Sequence, residues 1–274
     1  MKNKKSLIKT ILLAIILFFM VSPIFILINS SLKTYNEILK WPPSWFNSFH
    51  FENYKEVIFG DNSIVRPFIN SLQISIITTF ICIFIGSISA YAVTRFNFIG
   101  KKVFLFVILL TQMFSQVILV NPMYMIFSKL NLLDTKLSLI ISVSAICMPM
   151  TIWLLYSYFS NIPIDYEEAS WMDGSSRLQG IKNIVLPLAG PGLITSGLFA
   201  FIASWGDLIF SQTFIMSSDL MTISVALTNF RDLYKTNYQT QMAASVLATI
   251  PPFIVFLIVQ KHLINSRLSQ EVKG

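Results

Sequence analysis

Between two hydrophobic runs lies one polar island, Asp165 to Pro187, reading DYEEASWMDGSSRLQGIKNIVLP. Its residue types suit recognition better than catalysis. Glu168 and Met172 fall one helical turn apart, and Ala169 and Ser170 are small enough to let another surface approach closely. Local signals give the island a shape. Pro163 stops the preceding apolar run, Asp165 is placed to cap a short helix, and Gly174 is placed to end it. Ser176 followed by Gln179 reads as the capping box of a second short helix, and Pro187 with Pro191 marks entry into the next apolar run. The expected unit is a helix, a sharp turn and a helix, lying under a membrane. Such a helix is a knob for another protein's groove; the plainer alternative is an acidic interfacial helix that touches lipid or nothing.

Other chemistries find little support. No phosphate loop of the G-x-x-x-x-G-K-S/T type occurs, so nucleotide hydrolysis is not expected on this chain. His50 and His262 are the only histidines, and no metal-ligand spacing is present. Cys82 and Cys147 sit far apart among Ile, Phe, Met and Pro, and read as reduced packing residues.

The elements that must position the island are apolar. Of the 274 residues 54% are hydrophobic and 12% charged, about half the charge of a soluble domain, and the mean hydropathy is +0.68. An all-α membrane protein follows, because helices satisfy their own backbone groups where no water is available and the runs lack the alternation of barrel strands. Scanning for runs of roughly 20 apolar residues gives six transmembrane helices, about Leu7 to Asn29, Pro67 to Thr94, Val103 to Tyr124, Leu137 to Phe159, Ile184 to Phe210, and Met242 to Leu263. Lys2, Lys4 and Lys5 precede the first run as in a signal peptide, but the run is too long and no cleavage site follows, so it reads as a retained anchor.

Six spans put both termini on one side. The N-terminal tail, the Arg95 to Lys102 turn, the polar island and the C-terminal tail hold twelve of the twenty basic residues. The positive-inside rule therefore makes both ends and the island cytoplasmic. The net charge of +7 then reflects orientation and anionic lipid, with no nucleic-acid partner required. Outside, Trp41 to Asn53 reads as an interfacial belt, and Ser211 to Gln241 as a long polar loop.

Polar groups inside the spans face a cavity or a neighbouring helix. Asn70, Ser71 and Gln73, then Gln112, Gln116 and Asn121, and finally Trp205 with Asp207 are the candidates for a solute path. For each, the plainer reading is a helix-packing hydrogen bonder. No span carries a His or Lys near its centre, which argues against an intramembrane hydrolase, and mid-membrane coupling carboxylates and repeated halves, the marks of an ion-driven transporter, are not evident.

Glu168, Ala169 and Ser170, three residues, Gly174, nine residues, then Ile184, Leu186 and Pro187 resemble the EAA loop of permease subunits in binding-protein-dependent ABC importers. Ser170 stands where that pattern has a second alanine. Pro163 to Gly174, Leu186 to Leu188, Pro191, Gly86 to Phe96, Ala243 to Gln260 and the terminal Val272-Lys273-Gly274 are similar to carbohydrate-importer permeases of the maltose type. Asn265, Ser266, Arg267 and Gln270 depart from the glycines common in such tails.

The resemblance implies a type I ABC importer permease fold, with residues 1–66 as tail, added first helix and outer loop, 67–264 as a five-helix core carrying the coupling loop 161–187, and 265–274 as a cytoplasmic tail. It implies that Glu168 pairs a basic side chain in a cleft on an ATPase, with Glu167 supporting it, Ala169, Ser170 and Asp173 completing the docked helix, and Gly174 forming the turn. The tail residues Val272, Lys273 and Gly274 would also touch the ATPase. Implied partners are two ATP-binding subunits carrying ATP and magnesium, a second, different permease, an extracytoplasmic sugar-binding protein and membrane lipid. The expected work is carbohydrate import into the cell; a non-sugar solute stays open.

Overall fold

The computed structural model describes residues 2–43, 45, 49–61, 63–230 and 237–271. All regular structure among them is helical: α1 (Lys2–Ser31), α2 (Tyr35–Leu39), α3 (Glu52–Phe59), α4 (Val65–Arg95), α5 (Lys101–Thr111), α6 (Gln116–Lys129), α7 (Lys136–Ser160), α8 (Asp165–Met172), α9 (Arg177–Gly180), α10 (Leu186–Leu188), α11 (Gly190–Trp205), α12 (Ile209–Phe214), α13 (Ile223–Asn229) and α14 (Tyr238–Glu271). The chain divides into two compact units, residues 1–65 with 226–250, and residues 66–225 with 251–274.

In the first unit residues 11–28 of α1 are apolar on every face but for Ser22, and none of its most hydrophobic window is buried. That is the pattern of a helix whose surroundings are hydrocarbon or another apolar chain. Its C-terminal exit is fixed by polar contacts. The Asn53 side-chain amide donates to the carbonyls of Ser31 and Lys33 at 2.8 and 2.9 Å, and the hydroxyls of Ser31 and Tyr54 lie 2.6 Å apart. Thr34 and Glu37 form a capping box that starts α2.

The second unit is a bundle in which small residues let helices approach. A Cβ at Gly86 of α4 would lie 2.9 Å from Thr151 Cγ2 of α7, and one at Gly192 of α11 would lie 2.4 Å from the Tyr158 ring. Ile74, Cys82, Leu139, Val143, Cys147 and Ala200 form one core with Phe127, Phe210 and Phe214. A second cluster, Ala90, Leu155, Phe159, Ile162, Val185 and Ala189, closes the bundle where the polar hairpin begins. Both cysteines are free and buried, as packing residues would be.

Two of the six expected spans are not straight. The third is a pair, α5 and α6, bent by 99°. Thr111, Gln112, Ser115 and Gln116 interrupt its apolar run, the N–H groups of Gln112 and Met113 tighten to carbonyls three residues back, and Ser115 is extended. The fifth enters through the segment Arg177–Leu188 and bends by 73° into α11. Pro187 and Pro191 lack N–H groups, so the helical ladder cannot run through unbroken. It slips to a π-helical turn at Ile181–Val185, where the Leu186 N–H bonds Ile181 O. The same span stops at Gly206, short of the expected Phe210, and α12 begins anew. Among the described residues four helices are long and apolar enough to cross a membrane, six if each bent pair counts as one span.

The expected loop from Ser211 to Gln241 is largely built. It contains the end of α12, a 3-10 turn at Ser218–Leu220, and α13. Residues 231–236 of it, with Arg231 and Asp232, lie outside the described residues.

Candidate functional site

The polar island folds as helix, turn, helix. α8 opens with Asp165, Glu167 and Glu168 in its first turn, where carboxylates oppose the positive end of the helix dipole. Asp165 does not cap it: the cap position is Ile164, whose carbonyl accepts from the N–H groups of Glu167 and Glu168. The helix therefore starts at Asp165 itself, one residue earlier than a cap at Asp165 would give, with Ile164 between it and Pro163.

At the other end Gly174 has φ +88°, a conformation that costs any residue with a Cβ. Ser175 N–H bonds Ser170 O and Gly174 N–H bonds Trp171 O, each at 3.0 Å. This pair of bonds is the Schellman closure. The capping box then forms as expected, with Ser176 N–H donating to Gln179 Oε1 at 2.7 Å and Ser176 Oγ accepting from Gln179 N–H. Trp171 holds the two helices together. The Arg177 guanidinium lies 5.3 Å from its ring centroid, and Gly180 offers no Cβ on the side where the indole nitrogen packs.

The two neighbouring glutamates face opposite ways. Glu167 is 1% exposed. Its Oε1 accepts from Arg95 Nε at 2.5 Å and its Oε2 from the Tyr91 hydroxyl at 2.8 Å, so both oxygens are occupied within this unit. Arg95 also donates from Nη2 to the Ile162 carbonyl at 3.0 Å. Glu168, Ala169 and Asp173 are exposed, as are Tyr166 and, almost completely, Met172. Ser170 is buried against the turn. The result is an acidic, partly apolar face presented on a pinned hairpin.

Sequence reasoning missed Tyr91 and Arg95. The signal was available: the two are one turn apart at the end of α4, an arginine and a hydroxyl at the boundary of an apolar run.

The candidate path residues fall into two groups. Those near the start of α4 and the end of α11 hold backbone in place. Asn70 donates to the carbonyls of Asp219 and Met221 at 2.8 and 3.0 Å, and Ser71 Oγ accepts from Ile223 N–H at 2.8 Å. Asp207 is buried and accepts from the N–H and hydroxyl of Ser211 at 3.0 and 2.8 Å, which satisfies a first-turn N–H of α12. Trp205 is buried edge-on to Phe68 and stacked with Phe201. The other group is more open. Gln73 accepts from Lys136 Nζ at 2.7 Å, and Gln112, at the α5–α6 break, reaches Ile146 O at 3.4 Å. Gln116 is half-buried and Asn121 exposed on α6. The tail residues Val272, Lys273 and Gly274 lie outside the described residues.

Residues 82–268 match the family described as binding-protein-dependent transport system inner membrane component. A trehalose transport system permease protein of Mycobacterium tuberculosis (strain CDC 1551 / Oshkosh) is 34% identical over 226 residues, 82% of this chain and 82% of that one. An inner membrane ABC transporter permease protein of Escherichia coli (strain K12) is 30% identical over 267 residues, 96% of this chain and 94% of that one. Among solved structures, a bacterial ABC transporter involved in the import of the acidic polysaccharide alginate superposes with a TM-score of 0.80 at 22% identity, covering 94% of this chain and 96% of that one, a likeness of fold. The chain belongs to the binding-protein-dependent transport system inner membrane component family and is a membrane permease subunit of an ABC importer, a transport subunit and not an enzyme.

Proposed function

We propose that this permease passes a carbohydrate, of oligosaccharide size, into the cell, and that the exposed face of α8 is gripped by an ATP-binding subunit. The observation that carries the reading is the opposed orientation of Glu167 and Glu168. One carboxylate is consumed in pinning the hairpin, and the next is exposed beside Ala169 and Met172 on the other side of the same helix. A charge pair formed there would be charge-assisted and sterically unobstructed. Closure of the ATPases on ATP would push the hairpin, and the spans would exchange inward-open for outward-open arrangements.

The full assembly in this reading has two ATP-binding subunits, which carry ATP and magnesium, a second and different permease, and an extracytoplasmic sugar-binding protein. This chain contributes no nucleotide ligand. The hairpin and both termini face the cytoplasm, as the basic residues favour, and the tail Val272, Lys273 and Gly274 adds a second ATPase contact. Gln73, Gln112, Gln116, Asn121, Trp205, Asp207 and Asn70 remain the positions from which a sugar path is drawn; the open group on α5 and α6 suits contact with a hydroxylated solute best. Support for the substrate class comes from the trehalose named for one relative and the alginate named for the structural neighbour.

The test is uptake by proteoliposomes holding the assembled complex and its binding protein, supplied with labelled di- and oligosaccharides. Uptake that needs lumenal ATP and persists when ion gradients are collapsed supports the reading. Uptake driven by an ion gradient without ATP overturns it, and ATP-driven uptake confined to a non-sugar solute overturns the substrate class.

A further inference from the structure

We infer that Arg95 is the positioning residue through which movement of the hairpin enters the membrane bundle, an inference that rests on the docking role given above to the Glu168 face. Two segments distant in sequence meet at its guanidinium. Nε holds Glu167 of α8, Nη2 holds the Ile162 carbonyl at the junction of α7 and α8, and the stem rises from the last turn of α4. Tyr91, one turn earlier on α4, takes the second oxygen of Glu167.

The geometry makes this a rigid joint. The Arg95 side chain is 10% exposed and that of Glu167 1%, so water cannot readily replace either partner, and a displacement that left α4 behind would strand a charge in an apolar setting. The surrounding residues are packed to match. Ala90, Phe159, Ile162, Val185 and Ala189 close around the joint, and the Tyr91 ring meets Phe159 edge-on at 6.5 Å. At its other end α8 turns at Gly174 into α9, to which the Schellman bonds and the Trp171 ring attach it, so that end leads to the second helix of the hairpin and not to α4. The joint at Glu167, near the start of α8, is therefore where a push on the exposed face reaches a transmembrane helix, and α4 is the helix that receives it.

The test separates docking from transmission. In the assembled complex, Arg95→Gln is expected to keep the ATPase subunits during purification and to keep basal ATP hydrolysis. The ratio of binding-protein-stimulated to basal hydrolysis, and uptake with it, should fall at least about fivefold, as for loss of a typical coupling free energy. Arg95→Lys, which keeps the charge and loses the fork that spans Glu167 and Ile162, should lie between, and the exchange Arg95→Glu with Glu167→Arg should recover part of the ratio. A wild-type ratio in Arg95→Gln overturns the inference, as does loss of the ATPase subunits, which would make the pair a docking element. Should Arg95→Gln fail to reach the membrane, Arg95→Lys carries the same measurement, since it keeps the charge and removes the fork, and an unchanged ratio there overturns the inference. Uptake independent of ATP in the unmutated complex would instead defeat the docking reading itself.

Discussion

Glu167 and Glu168 are consecutive in the chain, yet Glu167 accepts from Arg95 and Tyr91 in the interior while Glu168 stands in solvent. On a helix consecutive side chains point about 100° apart, so a short helix lying on a bundle offers one carboxylate to each side. With one turned inward to Arg95 and Tyr91, the other points to the side from which a partner would approach.

Glu168→Lys should therefore abolish a contact without disturbing the fold. Placing a cation where a partner offers one costs about 2 to 5 kcal/mol for a desolvated pair, which is at least about thirtyfold in affinity. The expected result is a chain that inserts normally and loses its ATPase subunits on purification, with Glu168→Gln retaining part of them. Undiminished co-purification of ATPase with Glu168→Lys would show that the exposed face is not the contact.

Gly174 is tested by substitutions that differ only in their tolerance of φ +88°. Since no atom lies within 4 Å of a Cβ built there, Gly174→Ala meets no clash and carries only the left-handed backbone cost, about 1 to 2 kcal/mol. The thermal midpoint of the solubilised chain should fall with alanine, and fall less with asparagine, which visits that region more readily. Equal midpoints for glycine, alanine and valine would mean that the Schellman turn is not held in solution.

How much of this was legible beforehand follows the reach of each signal. Gly174 as a terminator and the Ser176 with Gln179 box were readable because both act over three or four residues. Burial of Glu167 was not, because its partner Arg95 is 72 residues away. Asn70 is similar: the carbonyl it serves at Asp219 is 149 residues distant, so a polar residue in a span gave no hint whether it faced a solute or a loop. Hydropathy located the apolar runs, but it averages over a window. The breaks at Gln112 to Ser115 and at Ala189 are shorter than that window, and depend on individual hydrogen bonds that an average erases.

Gly192 offers a packing test within the bundle. Its missing Cβ faces the Tyr158 ring at 2.4 Å, closer than any side chain could come, so Gly192→Val must push α11 away from α7. Overpacking of this sort costs about 1 to 3 kcal/mol. Adding Tyr158→Ala should return part of the loss, because the second change empties the space the first one needs. A double variant no more stable than the sum of the two singles would remove the contact from the account, since neighbours that touch are expected to depart from additivity.

Asp134 links protonation to the loop that joins α6 and α7. It sits at φ +56°, its N–H bonds Phe214 O at 2.8 Å, and its Oδ1 accepts from the backbone N–H groups of Ser217 and Met216 and from the Ser217 hydroxyl at 3.0, 2.9 and 2.9 Å. The N–H of Ser217 first, then that of Met216 and the Ser217 hydroxyl, hold this carboxyl below its ordinary 3.8. A carboxyl whose value is lower in the folded chain than in the unfolded one stabilises fully above the unfolded value, and that contribution is lost as the pH falls through the folded one. The thermal midpoint of the solubilised protein should thus decline on acidification below pH 3.8. Asp134→Asn keeps a residue that tolerates positive φ and removes only the charge, so it should flatten that part of the decline while lowering the midpoint at neutral pH. Parallel acid limbs for the two proteins would place the carboxylate outside the hydrogen bonds that tie this loop to the end of α12.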